Sequence, residues 1–184
     1  TIRNHNLRLT NGVNWYEDGI IFGMNQAFYR VNPNGGIPEK IYPENDSSFQ
    51  SRVWNPQLLP DKKTILFNQL HGEIWDVRMV QLDSDKEPKI LIDRGSDARF
   101  LESGHIAYLS DGSLQIVQFD AASKSIVGTP RVLTSDPVHN PFNSAGQFDF
   151  NHHGSLVYYA QTITASTERH LVWIDFSGKI EKIT

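Results

Sequence analysis

The feature that most constrains the fold is a short motif that occurs four times along the chain. In each copy a turn leads into an apolar run that ends near an aromatic residue; the copies are EDGIIF, PDKKTILF, SGHIAY and HHGSLVY. Their aromatic residues Phe22, Phe67, Tyr108 and Tyr158 are 45, 41 and 50 residues apart. A period of this length is typical of repeat architectures such as propellers.

Three further segments accompany each copy of the motif. An aromatic-containing segment precedes it, an alternating stretch follows it, and a short segment closes the unit; the closing segments are EKIY (39–42), KILI (89–92), RVLT (131–134) and EKIT (181–184). Alternation with period 2, with Gly, Pro, Asn or Asp at the joints, indicates antiparallel strands. The sequence therefore predicts an all-β fold, a β-propeller of four-stranded antiparallel blades with about four blades present.

The strand count also predicts how the chain is organised. We expect one propeller segment over residues 1–184, with blades at about 13–42, 52–92, 98–134 and 147–184, and with LRLT at 7–10 as the outer strand of a preceding blade. Five outer strands for four sets of inner strands indicate part of a larger ring. Such a segment would expose apolar faces and sheet edges, so we expect a homodimer or completion of the ring by missing blades or a partner chain.

Four polar residues recur where the alternating stretches end. They are Asn32, Asp83, Asp120 and Asp175. We interpret them as turn initiators whose side chains accept hydrogen bonds from backbone amides two residues further on. The alternative is a functional ring of polar groups.

Composition excludes several classes of partner. The net charge is −4 and no segment concentrates Lys or Arg, so a nucleic-acid partner is not expected. No window approaches 18 uninterrupted apolar residues, so no membrane span is expected. The chain has no cysteine, which removes disulfides, thiolate nucleophiles and cysteine-based zinc sites together.

Motifs that carry catalysis are absent from the sequence. It has no Gly-x-Ser-x-Gly elbow, no phosphate-binding glycine loop and no His-Glu-x-x-His. We therefore expect no enzyme activity within this chain, no cofactor and no metal. One alternative is a glycosidase-like pair in which Asp61 or Asp111 faces Glu17 or Glu102, although all four lie in predicted hairpin turns.

The central opening of a propeller is the place where we expect a binding site. Asn14, Arg52, Arg99 and Gln147 are polar residues at comparable points of the innermost strands, which are otherwise apolar, and they are the candidate channel-lining residues. The alternative is that they satisfy backbone groups between blades. The long connection 135–146 is a second candidate site, since long connections often carry function.

Three segments resemble a known family. They are LLPDKKTILF, GSDARFLESGHIAYLSDGSLQIVQFDAASKSIVGTPRVLT, and GQFDFNHHGSLVYYAQ together with the later RHLVWIDFSGKIEKI. They resemble the TolB-like, WD-repeat-like propellers of bacteria, most closely those joined to bacterial serine/threonine kinases. The resemblance implies a module that binds a protein or peptide, with a periplasmic or cell-envelope location. Two alternatives stay open: the propeller part of a larger glycosidase or peptidase, and a small-ligand or cation binder at the central channel.

Overall fold

The regular structure of the described residues is entirely β. The computed structural model describes residues 10–24, 26–43, 52–82, 84, 87–135, 145–151, 154–159, 171–174 and 180–183. Within them lie sixteen strands: β1 (Thr10–Tyr16), β2 (Gly19–Met24), β3 (Ala27–Val31), β4 (Glu39–Tyr42), β5 (Arg52–Leu58), β6 (Thr64–His71), β7 (Ile74–Gln81), β8 (Lys89–Ile92), β9 (Ser96–Leu101), β10 (His105–Ser110), β11 (Ser113–Asp120), β12 (Ser125–Thr134), β13 (Phe148–Phe150), β14 (Leu156–Tyr158), β15 (Leu171–Ile174) and β16 (Ile180–Ile183). No helix of the described residues has the length and apolar character needed to cross a membrane.

The strands form successive antiparallel sheets. Blade 1 (β1 to β4), blade 2 (β5 to β8) and blade 3 (β9 to β12) each pair their four strands in chain order. The last four described strands form two separate pairs, β13 with β14 and β15 with β16. This arrangement confirms the predicted all-β propeller of four-stranded antiparallel blades, as an open arc.

The predicted closing strands agree with the structure to different degrees. β4 and β8 coincide with the predicted EKIY and KILI segments, whereas β12 begins six residues before the predicted RVLT segment. The difference arises because Gly128, with φ of 76°, takes up an irregularity in the pairing of β11 with β12, so that the strand continues across it. The predicted strand at 7–10 lies outside the described residues except for Thr10, which begins β1.

Apolar side chains fill the seams between blades. Phe28 of blade 1 meets Phe67 of blade 2 edge to face at 5.3 Å between ring centroids. Leu66 and Val77 of blade 2 pack with Ile106 and other residues of blade 3, and Phe148 of β13 packs on the far side of blade 3. Large aromatic and branched residues therefore hold each blade against the next, since burial of apolar area is the main favourable term in folding.

The first strand of blade 1 has two exposed apolar side chains. Val13 and Trp15 of β1 are 62% and 70% exposed, although both are large apolar residues. The expectation that a second copy or further blades complete the ring is tested by no observation, and it stays a prediction.

The predicted turn initiators behave as expected where the structure describes them. Oδ1 of Asn32 accepts the N–H of Asn34 at 2.9 Å, and Oδ1 of Asp120 accepts the N–H of Ala122 at 2.9 Å. Asp83 and Asp175 lie outside the described residues.

Candidate functional site

The first strand of each regular blade carries an irregularity at the same place. Gly12, Asn55 and Asp97 have φ of 91°, 51° and 44°, and each lies where the pairing of its strand with the next one shifts register. Gly, Asn and Asp are the residues that adopt this left-handed conformation most readily. The sequence therefore builds the same bulge three times, at the inner edge of the arc.

The bulges contact one another from blade to blade. A Cβ atom on Gly12 would lie 2.6 Å from Oδ1 and 2.7 Å from Cα of Asn55, so only glycine fits there. Nδ2 of Asn55 donates to Oδ1 of Asp97 at 3.1 Å, and Oδ2 of Asp97 accepts the N–H of Gly146 at 2.6 Å. The three bulges therefore follow one another in contact from blade 1 to blade 3, and hydrogen bonds continue the line to Gly146, just before β13.

A second line of contacts begins two residues after each bulge. Nδ2 of Asn14 donates to the carbonyl of Pro56 at 2.7 Å. The amide of Gln57 makes two bonds to the backbone of Phe100, donating from Nε2 to its carbonyl at 3.0 Å and accepting its N–H at 2.7 Å. Arg99 reaches the next unit, where Nη1 meets Oδ1 of Asp149 at 2.9 Å.

These two lines form the wall of a cleft of about 420 Å³ on the axis of the arc, which we call the inner cleft. It is lined by Gly12, Val13, Asn14, Asn55, Gln57, Asp97, Ala98, Arg99, Phe100, Leu101, Ala145, Gly146, Asp149 and Phe150. Its volume falls in the range of pockets that hold small ligands or short peptide segments.

The charges of the inner cleft centre on one guanidinium. Arg99 lies between Asp97, at 3.3 Å from Nη2, and Asp149, and its Cζ lies 4.2 Å from the ring centroid of Phe148. The Asp97 carboxylate is buried, whereas the Asp149 side chain is 76% exposed. Two carboxylates against one guanidinium leave the cleft with one excess negative charge, and that charge is on the solvent side.

Several hydrogen-bonding positions in the inner cleft remain open. In the described part of the chain no group donates to Oδ1 of Asn14 or to Oδ2 of Asp149, and none accepts from Nε of Arg99. The structural bonds of the wall therefore use one side of each group and leave the other side toward the cleft. Such a surface favours a ligand that supplies mainly hydrogen-bond donors.

The four candidate channel-lining residues are placed differently. Asn14 and Arg99 line the inner cleft, but Arg52 and Gln147 do not. Arg52 is exposed at the start of β5, three residues before its bulge, and the carbonyl of Gln147 accepts the N–H of Tyr159 at 2.8 Å. The residue of blade 2 that corresponds to Asn14 and Arg99 is Gln57.

Gln57 lines the inner cleft in place of Arg52 for a physical reason, and the reason is visible in the sequence. Alignment by the start of each strand selects Arg52, whereas alignment by the bulge selects Gln57, because the bulge changes which residues face the axis. In each blade a residue that readily adopts the left-handed backbone conformation stands two positions before a polar residue. The three copies are Gly-x-Asn, Asn-x-Gln and Asp-x-Arg, at spacings of 43 and 42 residues. That repeat would have identified the lining residues.

A second opening lies where blades 2 and 3 meet, at the ends where their first strands begin. This rim pocket has a volume of about 280 Å³ and is lined by Glu73, Ile74, Trp75, Arg94, Gly95, Ser96, Leu109, Ser110, Asp111 and Gly112. The Trp75 ring meets the Trp54 ring edge to face, at 5.8 Å between centroids. Below the pocket, burial and, to a smaller extent, the charge of Asp111 raise the pKa of the Tyr108 phenol.

The glycosidase-like pairing of carboxylates receives no support from the geometry of Asp111. Asp111 follows β10 and Glu102 lies in the turn before it, so six residues of extended strand, about 20 Å, separate them. Asp61 is engaged in its own turn, where it accepts bonds from the N–H groups of Lys63 and Thr64. Within the described residues no three His, Cys, Asp or Glu side chains group as metal ligands would.

Comparison with known proteins identifies the fold but no family. No protein-family model matches the chain, and no curated protein matches it. Among solved structures it is similar to a calcium-binding protein, regucalcin, from Agrobacterium tumefaciens, with a TM-score of 0.52 and 9% identity over 94% of this chain and 57% of that one. It is also similar to a luciferin-regenerating enzyme, with a TM-score of 0.50 and 10% identity over 83% of this chain and 62% of that one.

A third similar structure is a puromycin-hydrolyzing peptidase of Mycobacterium tuberculosis. Its TM-score is 0.48 and its identity 14%, over 68% of this chain and 23% of the peptidase. This chain therefore spans less than two thirds of the length of each of the three structures. At such identities the likeness shows the fold alone.

These neighbours correct one prediction made from the sequence. The absence of catalytic motifs led to the expectation that the chain is not an enzyme, and that expectation is wrong as argued, because its structural neighbours include a luciferin-regenerating enzyme. A propeller fold does not separate binding proteins from enzymes.

Proposed function

We propose that this chain is a TolB-like propeller segment whose inner cleft binds a protein or a peptide. The observation that carries the proposal is that side chains of the cleft wall both join neighbouring blades and keep open hydrogen-bonding positions. Asn14 and Arg99 each use part of their hydrogen-bonding capacity to join neighbouring blades and leave the rest toward the cleft. The TolB-like relationship rests on the recurring Pro-Asp or Asp-Gly turns before apolar strands, as in LLPDKKTILF.

The wall is suited to binding because its side chains are held before any ligand arrives. Both bonds of Gln57 to Phe100, and the position of Arg99 between two carboxylates, fix the rotamers of these long side chains. Ordering a flexible side chain on binding costs free energy, so a wall that is already ordered loses less of it. An extended peptide brings a row of N–H donors, which match the open acceptors Asn14 Oδ1 and Asp149 Oδ2.

Selection from a displayed library of random dodecamer peptides tests this proposal. Peptides enriched on the wild-type chain are synthesised with a fluorophore, and their affinity is measured by anisotropy for wild type and for Asp149→Ala. Asp93→Ala is the matched control, since Asp93 is an exposed aspartate of the β8–β9 connection that does not line the inner cleft.

We expect enriched peptides to bind Asp149→Ala about tenfold more weakly than wild type, because one exposed charge and one acceptor are lost. Asp93→Ala should bind as wild type does. Failure to enrich any peptide, or equal affinity for wild type and Asp149→Ala, would overturn the proposal.

A further inference from the structure

We propose that the rim pocket receives an apolar side chain of a basic peptide segment whose adjoining part lies in the inner cleft. The inference rests on the proposed function, because it assigns the second half of the same binding surface. It names the chemistry of the partner: an apolar residue flanked by lysine or arginine.

The walls of the rim pocket fit an apolar side chain. Trp75 lies against Trp54, which fixes the plane of its ring, and Ile74 beside it is 43% exposed. Gly112 has open space around it, since a Cβ atom there would meet nothing within 4 Å. An aromatic ring, an exposed branched side chain and a glycine together form an apolar surface with room above it.

The same seam contains polar groups that its own blades do not satisfy. Nε1 of Trp54 and Nδ2 of Asn68 are buried donors with no partner among the described residues. The two residues are direct cross-strand partners on β5 and β6, and Oδ1 of Asn68 accepts the N–H of Ala98 in blade 3. Trp54 lies against Trp75 of the pocket wall, so these two donors lie in the seam behind the pocket and not in its lining.

The rim pocket and the inner cleft are lined by consecutive residues of β9. Ser96 lines the former and the next residue, Asp97, lines the latter. Consecutive Cα atoms are about 3.8 Å apart. An extended segment of a few residues is therefore long enough to enter both openings.

The charges of both openings select a basic partner. The charged residues that line the rim pocket are Glu73, Asp111 and Arg94. Asp97 and Asp149 face a single guanidinium, Arg99, in the inner cleft. Each opening has one excess negative charge, so a segment with two positive charges complements the surface, and its affinity should fall as salt is added.

Three synthetic tripeptides test the inference: acetyl-Lys-Leu-Lys-amide, acetyl-Lys-Ser-Lys-amide and acetyl-Glu-Leu-Glu-amide. Binding is followed by NMR on protein whose tryptophans carry ¹⁵N, because the indole N–H of Trp75 reports on the rim pocket. We expect the Lys-Leu-Lys peptide to shift that signal and to bind about tenfold more tightly than Lys-Ser-Lys, since a leucine side chain is buried only in the first. The Glu-Leu-Glu peptide should bind more weakly still.

Two substitutions with matched controls locate the binding. Ile74→Ser should weaken the Lys-Leu-Lys peptide several-fold, whereas Ile90→Ser should not; Ile90 has 46% exposure but lies outside the pocket. Glu73→Gln should weaken the same peptide about threefold, whereas Glu102→Gln, in a turn at the opposite end of blade 3, should have no effect.

The outcomes separate this inference from the proposed function. If Asp149→Ala weakens the Lys-Leu-Lys peptide while Ile74→Ser and Glu73→Gln do not, the inner cleft binds the peptide and the rim pocket plays no part. If the Lys-Ser-Lys and Glu-Leu-Glu peptides bind as well as Lys-Leu-Lys, the stated chemistry of the partner is wrong. If no tripeptide shifts any signal at millimolar concentration, the inference fails, and the library selection alone then decides whether the proposed function stands.

Discussion

The wall of the inner cleft and the rim pocket are neighbours on β9, yet their polar groups are used in opposite ways. In the wall, Asn14, Gln57 and Asp97 bond to neighbouring blades. Around the rim pocket, Glu73 and Asp111 lie in exposed turns. The wall therefore joins the blades and lines the inner cleft with the same side chains, whereas the charged side chains of the rim pocket make no bond between blades within the described residues.

The position of a polar residue within the blade decides which partners it finds. First strands of adjacent blades approach closely around the axis, so polar side chains there reach backbone groups of the next blade. The turns between second and third strands spread outward, and their side chains find no such partner. A polar residue in a first strand therefore joins two blades as well as lining the inner cleft, whereas a polar residue in a turn at the rim only lines its pocket.

Replacement of the two aspartates that flank Arg99 should give the largest difference in stability, because one of them is buried in the wall and the other is exposed at its surface. Asp97→Ala removes the acceptor of the Asn55 amide and of the Gly146 N–H, together with the buried partner of Arg99, so we expect a loss of about 3 to 5 kcal/mol in the free energy of unfolding. Asp149→Ala removes an exposed partner and should cost less than about 1 kcal/mol. Urea unfolding followed by circular dichroism measures both, and equal losses would contradict the account.

Replacement of two glycines by alanine should give the next largest difference in the free energy of unfolding. Gly12→Ala adds a methyl group against the backbone of Asn55 at a φ of 91°, so we expect a cost of about 3 kcal/mol. Gly112→Ala, at a φ of 71° in open space at the rim, should cost only about 1 kcal/mol. Thermal unfolding compares the two, and a Gly112→Ala variant as unstable as Gly12→Ala would show that the rim is packed as tightly as the wall.

Gln57→Ala tests the two hydrogen bonds by which the Gln57 side chain joins blade 2 to blade 3. Both backbone groups of Phe100 lose their partner, and we expect a loss of about 2 kcal/mol in the free energy of unfolding. Gln118→Ala, at an exposed position of β11, is the control and should change stability by less than about 0.5 kcal/mol. If the two variants unfold at the same urea concentration, the amide of Gln57 does not join the blades.

Asp61→Asn should have the smallest effect on stability. Asp61 lies in the turn between β5 and β6, at the face of the arc opposite the rim pocket. Burial disfavours its charge, but hydrogen bonds from Thr64, Lys124 and Lys63 outweigh burial and lower its pKa. A lowered pKa in the folded state means that the stabilisation is present above the unfolded pKa, near 4, and is lost as pH falls below it. The stability difference between wild type and Asp61→Asn, about 1 kcal/mol at pH 6, should therefore shrink toward pH 2.5; a difference that grows on acidification would contradict this assignment.

The repeat and most strand positions could be predicted from the sequence, because turn residues and period-2 alternation are local signals. Glu39–Tyr42 and Lys89–Ile92 agree with the predicted closing segments. The start of β12 could not be predicted, since an irregularity at Gly128 depends on how β11 pairs with it. The fourth unit was predicted as one sheet, and its described strands form two pairs.

The candidate site was only half accessible to sequence reasoning. Asn14 and Arg99 were placed at the axis because both stand in apolar strands. Gln57 was missed, since the bulge at Asn55 shifts which residue faces the axis. The rim pocket was missed as well, because it joins turns of two blades that lie far apart in the chain.

Hydrogen exchange with and without a library-selected peptide tests the central claim most directly. The account predicts slower amide exchange in β9, from Ser96 to Leu101, and in the turn at 72–75 when the peptide is bound. It predicts no change in the turns at 102–104 and 121–124, which lie on the opposite face. Protection confined to those opposite turns, with β9 unchanged, would contradict a binding surface formed by the inner cleft and the rim pocket.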